Sequence, residues 1–300
     1  MFRISLIIPT YNRAARLIAA LETVVRQDLP PEEWECVVVD NNSSDDTARR
    51  FDAFAAGYPA FNLRRVSEAR QGLSHARNRG IAEAAAPCLA FIDDDERIGA
   101  GFLRAYAEFF DARPDAAVAG GRIIAEYETG RPAWMSKYTE QPIANPMDFG
   151  EGVCPFPAGR IPGGGNMAFR RSVAERFGGF DPSLGRVGTR LVGGEETDFF
   201  GRLARGGETC WYVPGAVMWH IIPPEKLTEE YFRRLCRNIG VSQRIQARMH
   251  RRYPRAVLGE CLKWGATLLL ALTMPPCRSR WLLRMRREIS RGLFGPETEA

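Results

Sequence analysis

Short apolar runs that each end in a polar cluster constrain this chain most. Ile4 to Ile8 is closed by Pro9, Thr10, Tyr11 and Asn12; Cys36 to Val39 by Asp40, Asn41 and Asn42; Cys88 to Ile92 by Asp93, Asp94 and Asp95. Runs this short and this apolar predict strands buried on both faces. Between the first two, Ala14 to Gln27 carries Leu17, Ala20, Leu21, Val24 and Val25 at helical spacing. A helix is expected after the polar turn at Asn41 to Asp45, reaching about Ala55, then a third strand over Leu63 to Val66. Leu73 to Ala85 and Phe102 to Phe110 read as further helices. Strands alternating with helices predict an α/β fold, a mostly parallel sheet flanked by helices. Ligands bind beyond the carboxyl ends of such strands, where all three polar clusters stand.

After Val118 to Ile124 the pattern loosens. Gly, Pro and aromatic residues crowd Tyr127 to Gly165, which reads as acceptor-side loops and short strands. Asn166 to Phe169 is expected as a strand and Thr197 to Ala204 as a helix. Thr209 to Val213 and Ala216 to Trp219 are expected as two closing strands. Pro223 and Pro224 mark a boundary, so the expected domains are 1–225, catalytic, and 226–300, a helical extension. From Lys226 onward there are 16 Lys and Arg against 6 Asp and Glu, although the whole chain carries only +5. A basic segment of this kind suits an anionic surface, or serves only to solvate a face. Seven scattered cysteines, with no C-x-x-C pair, argue against a disulfide framework or a thiolate zinc site and fit a reducing, cytoplasmic compartment. The start, Met1 to Ser5, lacks the regions of a signal peptide. No stretch of about 18 consecutive apolar residues occurs, so no spanning helix is expected.

Each cluster has a chemical reading and a bland one. Asp93, Asp94 and Asp95 at a strand end offer hard oxygen ligands to Mg²⁺ or Mn²⁺, which neutralise a leaving diphosphate; alone they are equally a solvated turn. Asp40 can accept from a base or ribose, with Tyr11 as a stacking face; Asn42, Ser43 and Asp45 suit a helix cap. Arg70, Arg77 and Arg79 suit phosphate oxygens, and Asn78 a ribose or diphosphate. His75 reads as a packing residue. Gly163 to Gly165 offers close backbone approach for a sugar or acceptor, but matches neither a P-loop nor a dinucleotide fingerprint. Glu195, Glu196 and Asp198 begin a helix, where the dipole favours acids; they are also candidates for a general base. His220 closes an apolar run, as a core residue or a metal ligand.

The order of these motifs is more specific than any one of them. Ile7 to Asn12 (IIPTYN), Val39 to Asp45 (VDNNSSD), Ala76 to Gly80 (ARNRG), Phe91 to Asp95 (FIDDD), Gly179 to Asp181 (GFD), Gly194 to Asp198 (GEETD) and Trp219-His220 occur in one chain. Together they resemble the family 2 glycosyltransferases, inverting enzymes of the GT-A fold, from Ile4 to about Pro224. The resemblance implies that Pro9, Thr10, Tyr11 and Asp40 hold the nucleoside, with Arg77 near the nucleotide. It implies that Asp93, with Asp94 beside it, meets the ribose or sugar, and that Asp95 and His220 hold a divalent metal. Glu196 would be the base, with Asp198 as rival, because the family's usual Glu-Asp pair is Glu195-Glu196 here. Glu195 is expected to point away from Glu196, and the neighbouring charges to raise the pKa of Glu196.

The expected activity is sugar transfer from a nucleoside diphosphate sugar to a glycan or lipid-linked glycan, in cell-surface polysaccharide or glycolipid assembly. A sugar-nucleotide pyrophosphorylase would want a Gly-rich phosphate loop after the first strand, where this chain has Pro9 to Asn12. A non-catalytic nucleotide-sugar-binding protein would have no need of Asp95, Glu196 and His220 together. No nucleic-acid recognition motif is visible. Tyr231, Phe232, Leu235, Ile239, Ile245 and Met249 form an apolar stripe among arginines, and Trp264 to Met274 is apolar. The extension thus reads as an element on the cytoplasmic face of a membrane or as a cap docked on the catalytic domain.

Overall fold

The computed structural model describes residues 1–188 and 193–295. They form two compact units. The first comprises Met1–Ile124, Met147–Ser183 and Glu195–His220; the second comprises Ala125–Pro146, Leu184–Gly194 and Ile221–Ala300. Residues 125–146, 184–188 and 193–194 therefore cluster with the basic extension.

The chain begins with β1 (Ile4–Thr10), α1 (Ala14–Val24), β2 (Trp34–Asp40), α2 (Thr47–Gly57), β3 (Leu63–Ser67), α3 (Leu73–Glu83) and β4 (Cys88–Phe91). Every residue of β1, β2 and β4 is buried, as strands covered on both faces must be. β5 (Glu96–Ile98), α4 (Phe102–Ala112), β6 (Val118–Tyr127), α5 (Lys137–Ala144), β7 (Cys154–Pro155) and β8 (Met167–Arg170) follow. The rest is α6 (Arg171–Phe177), α7 (Glu195–Arg205), β9 (Cys210–Ile222), α8 (Glu229–Met249), α9 (Tyr253–Thr273) and α10 (Pro276–Phe294).

The sheet has the order β3-β2-β1-β4-β8-β6-β9-β5, with β7 paired to β9. β3, β2, β1 and β4 are mutually parallel, while β8 runs antiparallel to β4 and β6 to β8. From β1 the chain winds first toward β3, then returns to place β4 on the other flank of β1. That reversal opens a crevice at the carboxyl ends of β1 and β4. The helices bury stripes at the spacing of one helical face: Ala14, Leu17, Ala20, Leu21 and Val24 in α1, and Phe102, Leu103, Tyr106, Phe109 and Phe110 in α4.

Three expectations change. The two closing strands are one, β9, continuous through Pro214 and Gly215. The short β5, α5 and α6 were not expected, whereas β7 falls in the stretch read as loops and short strands. The apolar segment Trp264 to Met274 lies, up to Thr273, in a 21-residue helix, α9, which is long and apolar enough to cross a membrane by length and composition. A search for consecutive apolar residues misses it because Glu260 and Lys263 interrupt the run.

In the second unit, Phe232, Leu235, Leu282, Met285 and Ile289 pack with Met135 and Ile143. Trp134 stacks on Trp281 with centroids 3.9 Å apart.

Candidate active site

The residues expected at the site all lie in the first unit. The loops after β1 and β2 are stitched together. The Asn12 side-chain carbonyl accepts from the Ser44 backbone N–H at 2.7 Å, and Asp45 accepts from the Ala14 N–H at 3.2 Å. Asn12 and Asn42 adopt positive φ, 51° and 65°, which asparagine tolerates better than most residues. Asp40 is buried; it accepts from the Ser43 N–H at 3.0 Å and faces Arg65 at 3.6 Å. Tyr11 stands exposed at the rim of these loops, and Pro9 is buried in β1.

Across the crevice, Thr10 donates to Asp94 at 2.8 Å. Arg13 reaches Asp94 at 3.0 Å and Asp95 at 3.3 Å. Burial pushes the Asp94 carboxyl up to about 6, with Arg13 opposing and Asp95 adding to the rise. The β5–β9 register sets His220 opposite Glu96, the residue that follows Asp95. Among the described residues, no group of three or more His, Cys, Asp or Glu side chains converges as a ready-made metal cage.

Arg77, expected beside the nucleotide, is 1% exposed and lies among carboxylates. It donates to Glu195 at 3.0 Å, to Glu196 at 2.9 Å and to Asp93 at 3.4 Å, while its face rests on the Phe180 ring. The expected divergence of Glu195 and Glu196 is therefore incorrect. Adjacent residues at a helix start do leave in different directions, but both long side chains bend to one buried cation. The expected rise in the pKa of Glu196 is also corrected. Burial raises it, but the Arg77 charge and a hydrogen bond from Glu195 outweigh burial and leave it lowered. The rise falls on Glu195, pushed up to about 8 by burial and by the charge of Glu196. Burial and the Arg77 charge thus drive the two carboxyls apart, Glu195 upward and Glu196 downward.

Asp198 makes a different connection. It accepts from Arg202 at 2.9 Å, and Arg202 in turn donates to the backbone carbonyls of Phe177, Gly178 and Gly179. Asn78, expected at a ribose or diphosphate, clamps the same segment. It donates to the Phe180 carbonyl at 2.7 Å and accepts from the Phe180 N–H at 2.8 Å. Arg70 pairs with Glu68, and Arg79 with Glu83.

The glycines before β8 serve side chains of the site. A Cβ on Gly164 would collide with the Glu196 carboxylate and come within 2.6 Å of Arg77; one on Gly165 would collide with Glu96. The close approach expected for a sugar is made by the site's own acids. Two residues of this site were not foreseen. Arg13 follows the first polar cluster directly, and Glu96 extends the aspartate run, accepting from the Asp93 N–H at 2.7 Å. Adjacency to a strand-end cluster was the available signal for both.

A family model described as glycosyl transferase family 2 matches residues 5–178. Among curated relatives, the succinoglycan biosynthesis protein ExoM of Rhizobium meliloti is 28% identical over 220 residues, covering 72% of this chain and 66% of that protein. A glucosyl-dolichyl phosphate glucuronosyltransferase of Haloferax volcanii is 24% identical, covering 65% of this chain and 61% of its own length. The glycosyltransferase AglE of the same organism is 36% identical, but only 30% of its length is covered. The chain thus spans less than two thirds of these two Haloferax relatives.

Among solved structures, the mannosyltransferase PcManGT of Pyrobaculum calidifontis, in complex with GDP-Man and Mn²⁺, superposes with a TM-score of 0.63 at 20% identity. That match covers 98% of this chain and 88% of that one. S. aureus TarS 1-349 with UDP-GlcNAc matches with a TM-score of 0.57 at 19% identity, over 81% and 66% of the two chains. The mixed sheet with flanking helices is accordingly the GT-A glycosyltransferase fold, and on the family match over most of its length this chain belongs to glycosyl transferase family 2.

Proposed function

We propose that the chain transfers a sugar from a nucleoside diphosphate donor to a hydroxyl of a glycan or lipid-linked glycan, in one displacement with inversion. The observation that carries this is Glu196. It is a half-buried carboxylate beside the crevice, held by a buried arginine whose charge keeps it below its ordinary range, in a family 2 glycosyltransferase. An ionised carboxylate only accepts hydrogen bonds, so it can take the acceptor proton. Arg77 is then a positioning residue, which acts through Glu196 and Asp93. Glu195 retains its proton and leaves the charge on its neighbour.

Pro9 and Thr10 at the carboxyl end of β1, Tyr11 just beyond it and Asp40 at the end of β2 would hold the nucleoside, with Asp93 and Asp94 toward the ribose and sugar. Asp95 and His220 would hold Mn²⁺ or Mg²⁺. What supports such an ion is the charge of the site: the register sets His220 opposite Glu96, one residue beyond Asp95, and Asp94 and Asp95 already draw the Arg13 cation. Two protein ligands leave the remaining shell to phosphate oxygens and water, as Mg²⁺ sites commonly do. Bound there, the metal would supply the charge that stabilises the departing diphosphate. The glucuronosyltransferase and ExoM relatives support an acceptor used in polysaccharide or glycolipid assembly, and the basic extension supports work at the cytoplasmic face of a membrane.

Glu196→Gln keeps the shape and removes the basicity. Turnover should fall by roughly two to four orders of magnitude with donor affinity nearly unchanged. Asp198→Asn, which touches the Arg202 strut, should cost far less. Near-normal transfer in Glu196→Gln, with Asp198→Asn inactive yet donor-bound, would move the base to Asp198.

A further inference from the structure

The helix α9 is built inside out. Its buried positions are Glu260 and Thr267, while Leu258, Leu262, Leu268, Leu269 and Leu272 are each more than half exposed. Leu258, Leu262, Leu269 and Leu272 recur at intervals of three, four and seven residues, so they form one stripe along the helix. Its polar side is well satisfied. Glu260 accepts from Arg286 at 3.0 Å and from Ser290 at 2.7 Å, and Trp264 donates to Ser290 at 2.8 Å. In water the exposed arrangement is unfavourable, because a contiguous leucine face is left solvated.

From this helix we infer that the leucine stripe of α9 lies flat in the headgroup region of an anionic membrane and does not cross it. The inference deepens the membrane-surface reading proposed above and rests on it. Charge selects the occupant. Exposed Arg251, Arg252 and Arg255 stand at the amino end of α9, and Arg280 lies past its carboxyl end, so cations flank the stripe at both ends. A leucine surface bounded by arginines matches acyl chains beneath phosphate headgroups.

The same contacts argue against crossing, although α9 is long and apolar enough by composition. Crossing would carry Glu260 and Lys263 into hydrocarbon. It would also strip α9 from α10, whose six arginines from Arg278 to Arg291 cannot follow. Lying flat keeps the Glu260–Arg286–Ser290 cluster intact and buries only leucines.

The test uses the full chain and vesicles of phosphatidylcholine with or without phosphatidylglycerol. The expected result is binding that rises with phosphatidylglycerol, falls with salt and is fully released by alkaline carbonate. Leu262→Glu with Leu269→Glu changes only exposed side chains and should lower binding by about tenfold per leucine. Donor hydrolysis in solution should stay unchanged in that variant, which separates failure of this inference from failure of the glycosyltransferase reading. Three outcomes would overturn it: equal binding by the double variant, resistance to carbonate, and a wild-type dimer in vesicle-free buffer that the double variant breaks. The last would make a second copy the occupant of the stripe.

Discussion

Two buried clusters of arginine and carboxylate invert each other. In the first unit one guanidinium, Arg77, is enclosed by Glu195, Glu196 and Asp93. In the second, one carboxylate, Glu288, is 0% exposed and enclosed by Arg233, Arg237, Arg287 and Arg291. Their outer shells differ as much as their centres. The arginines around Glu288 are 39–52% exposed and keep much of their hydration. Around Arg77, Glu195 is almost fully buried, and only Glu196 and Asp93 reach solvent, at 24% and 36%. A buried anion among long, wet cations pins helices. A buried cation among short, partly dry acids fixes acids at chosen points and leaves two of them facing outward. The second arrangement suits chemistry, and the first suits a scaffold.

Removing each centre should break this comparison or sharpen it. Arg77→Met leaves three carboxylates without their cation, one of them with almost no access to water. Loss of one partner of a buried pair costs about 3–5 kcal/mol, and transfer activity should vanish even where the fold survives. Glu288→Gln leaves four arginines that water can reach, and the amide still accepts a hydrogen bond. About 1–2 kcal/mol is expected there, the scale of weakened hydrogen bonds to charged groups. Urea unfolding of both variants measures the contrast. Equal losses would mean that the exposure of the outer shell does not set the cost.

A smaller effect tests the packing around Arg77. Gly164→Ala places a methyl against the Glu196 carboxylate and the Arg77 guanidinium. The Glu196 carboxylate, which that methyl overlaps, must move by about 1 Å or more, and a base misplaced on that scale loses roughly 10²-fold in turnover. Stability should change far less than in Arg77→Met. An alanine variant with wild-type turnover would show that the base need not sit where Arg77 holds it.

How far these clusters could be read beforehand depended on sequence distance. The strand ends were legible because apolar runs stop at Ile8, Val39 and Ile92, followed by clusters that hold Thr10, Asp40 and Asp93, polar residues with no other role in a buried strand. The ring around Arg77 was not, since Glu195 and Glu196 lie 118 and 119 residues away and nothing local marks them as partners. The same holds for Glu195. Its position at a helix start suggested an exposed acid favoured by the dipole, whereas the fold buries it. The β5–β9 pairing was hidden by the brevity of β5, three residues too few for any periodic signal. In the extension the arginine excess was plain, but not the inverted face of α9. An apolar helix suggests a buried apolar side, and only the contacts to Arg286 and Ser290 reveal that the polar side is the one covered.

The smallest expected effect on turnover comes with a contrast between the two clusters in pH. Burial lifts Glu195 from its ordinary 4.5 to about 8; the charge of Glu196 adds to the rise and Arg77 opposes it. The folded chain therefore holds a proton there that the unfolded chain releases above 4.5. That contribution to stability is full below 4.5, declines as pH rises, and is gone above about 8. Glu288 behaves oppositely. Burial would raise it, but the Arg237 hydrogen bonds and the surrounding arginine charges leave it lowered, so its contribution is present above 4.5 and fades in acid. Glu195→Gln imitates the protonated acid at every pH. Turnover at pH 7 should stay within about threefold of the unaltered chain, a barrier change of about 0.6 kcal/mol. The variant's stability should hold level between pH 5 and 8, as far as this one group contributes, where the unaltered chain weakens. Urea midpoints taken at each pH from 5 to 9 decide it. Parallel slopes in the two proteins would mean that Glu195 titrates as an ordinary carboxylate, and the single proton would have to be sought elsewhere around Arg77.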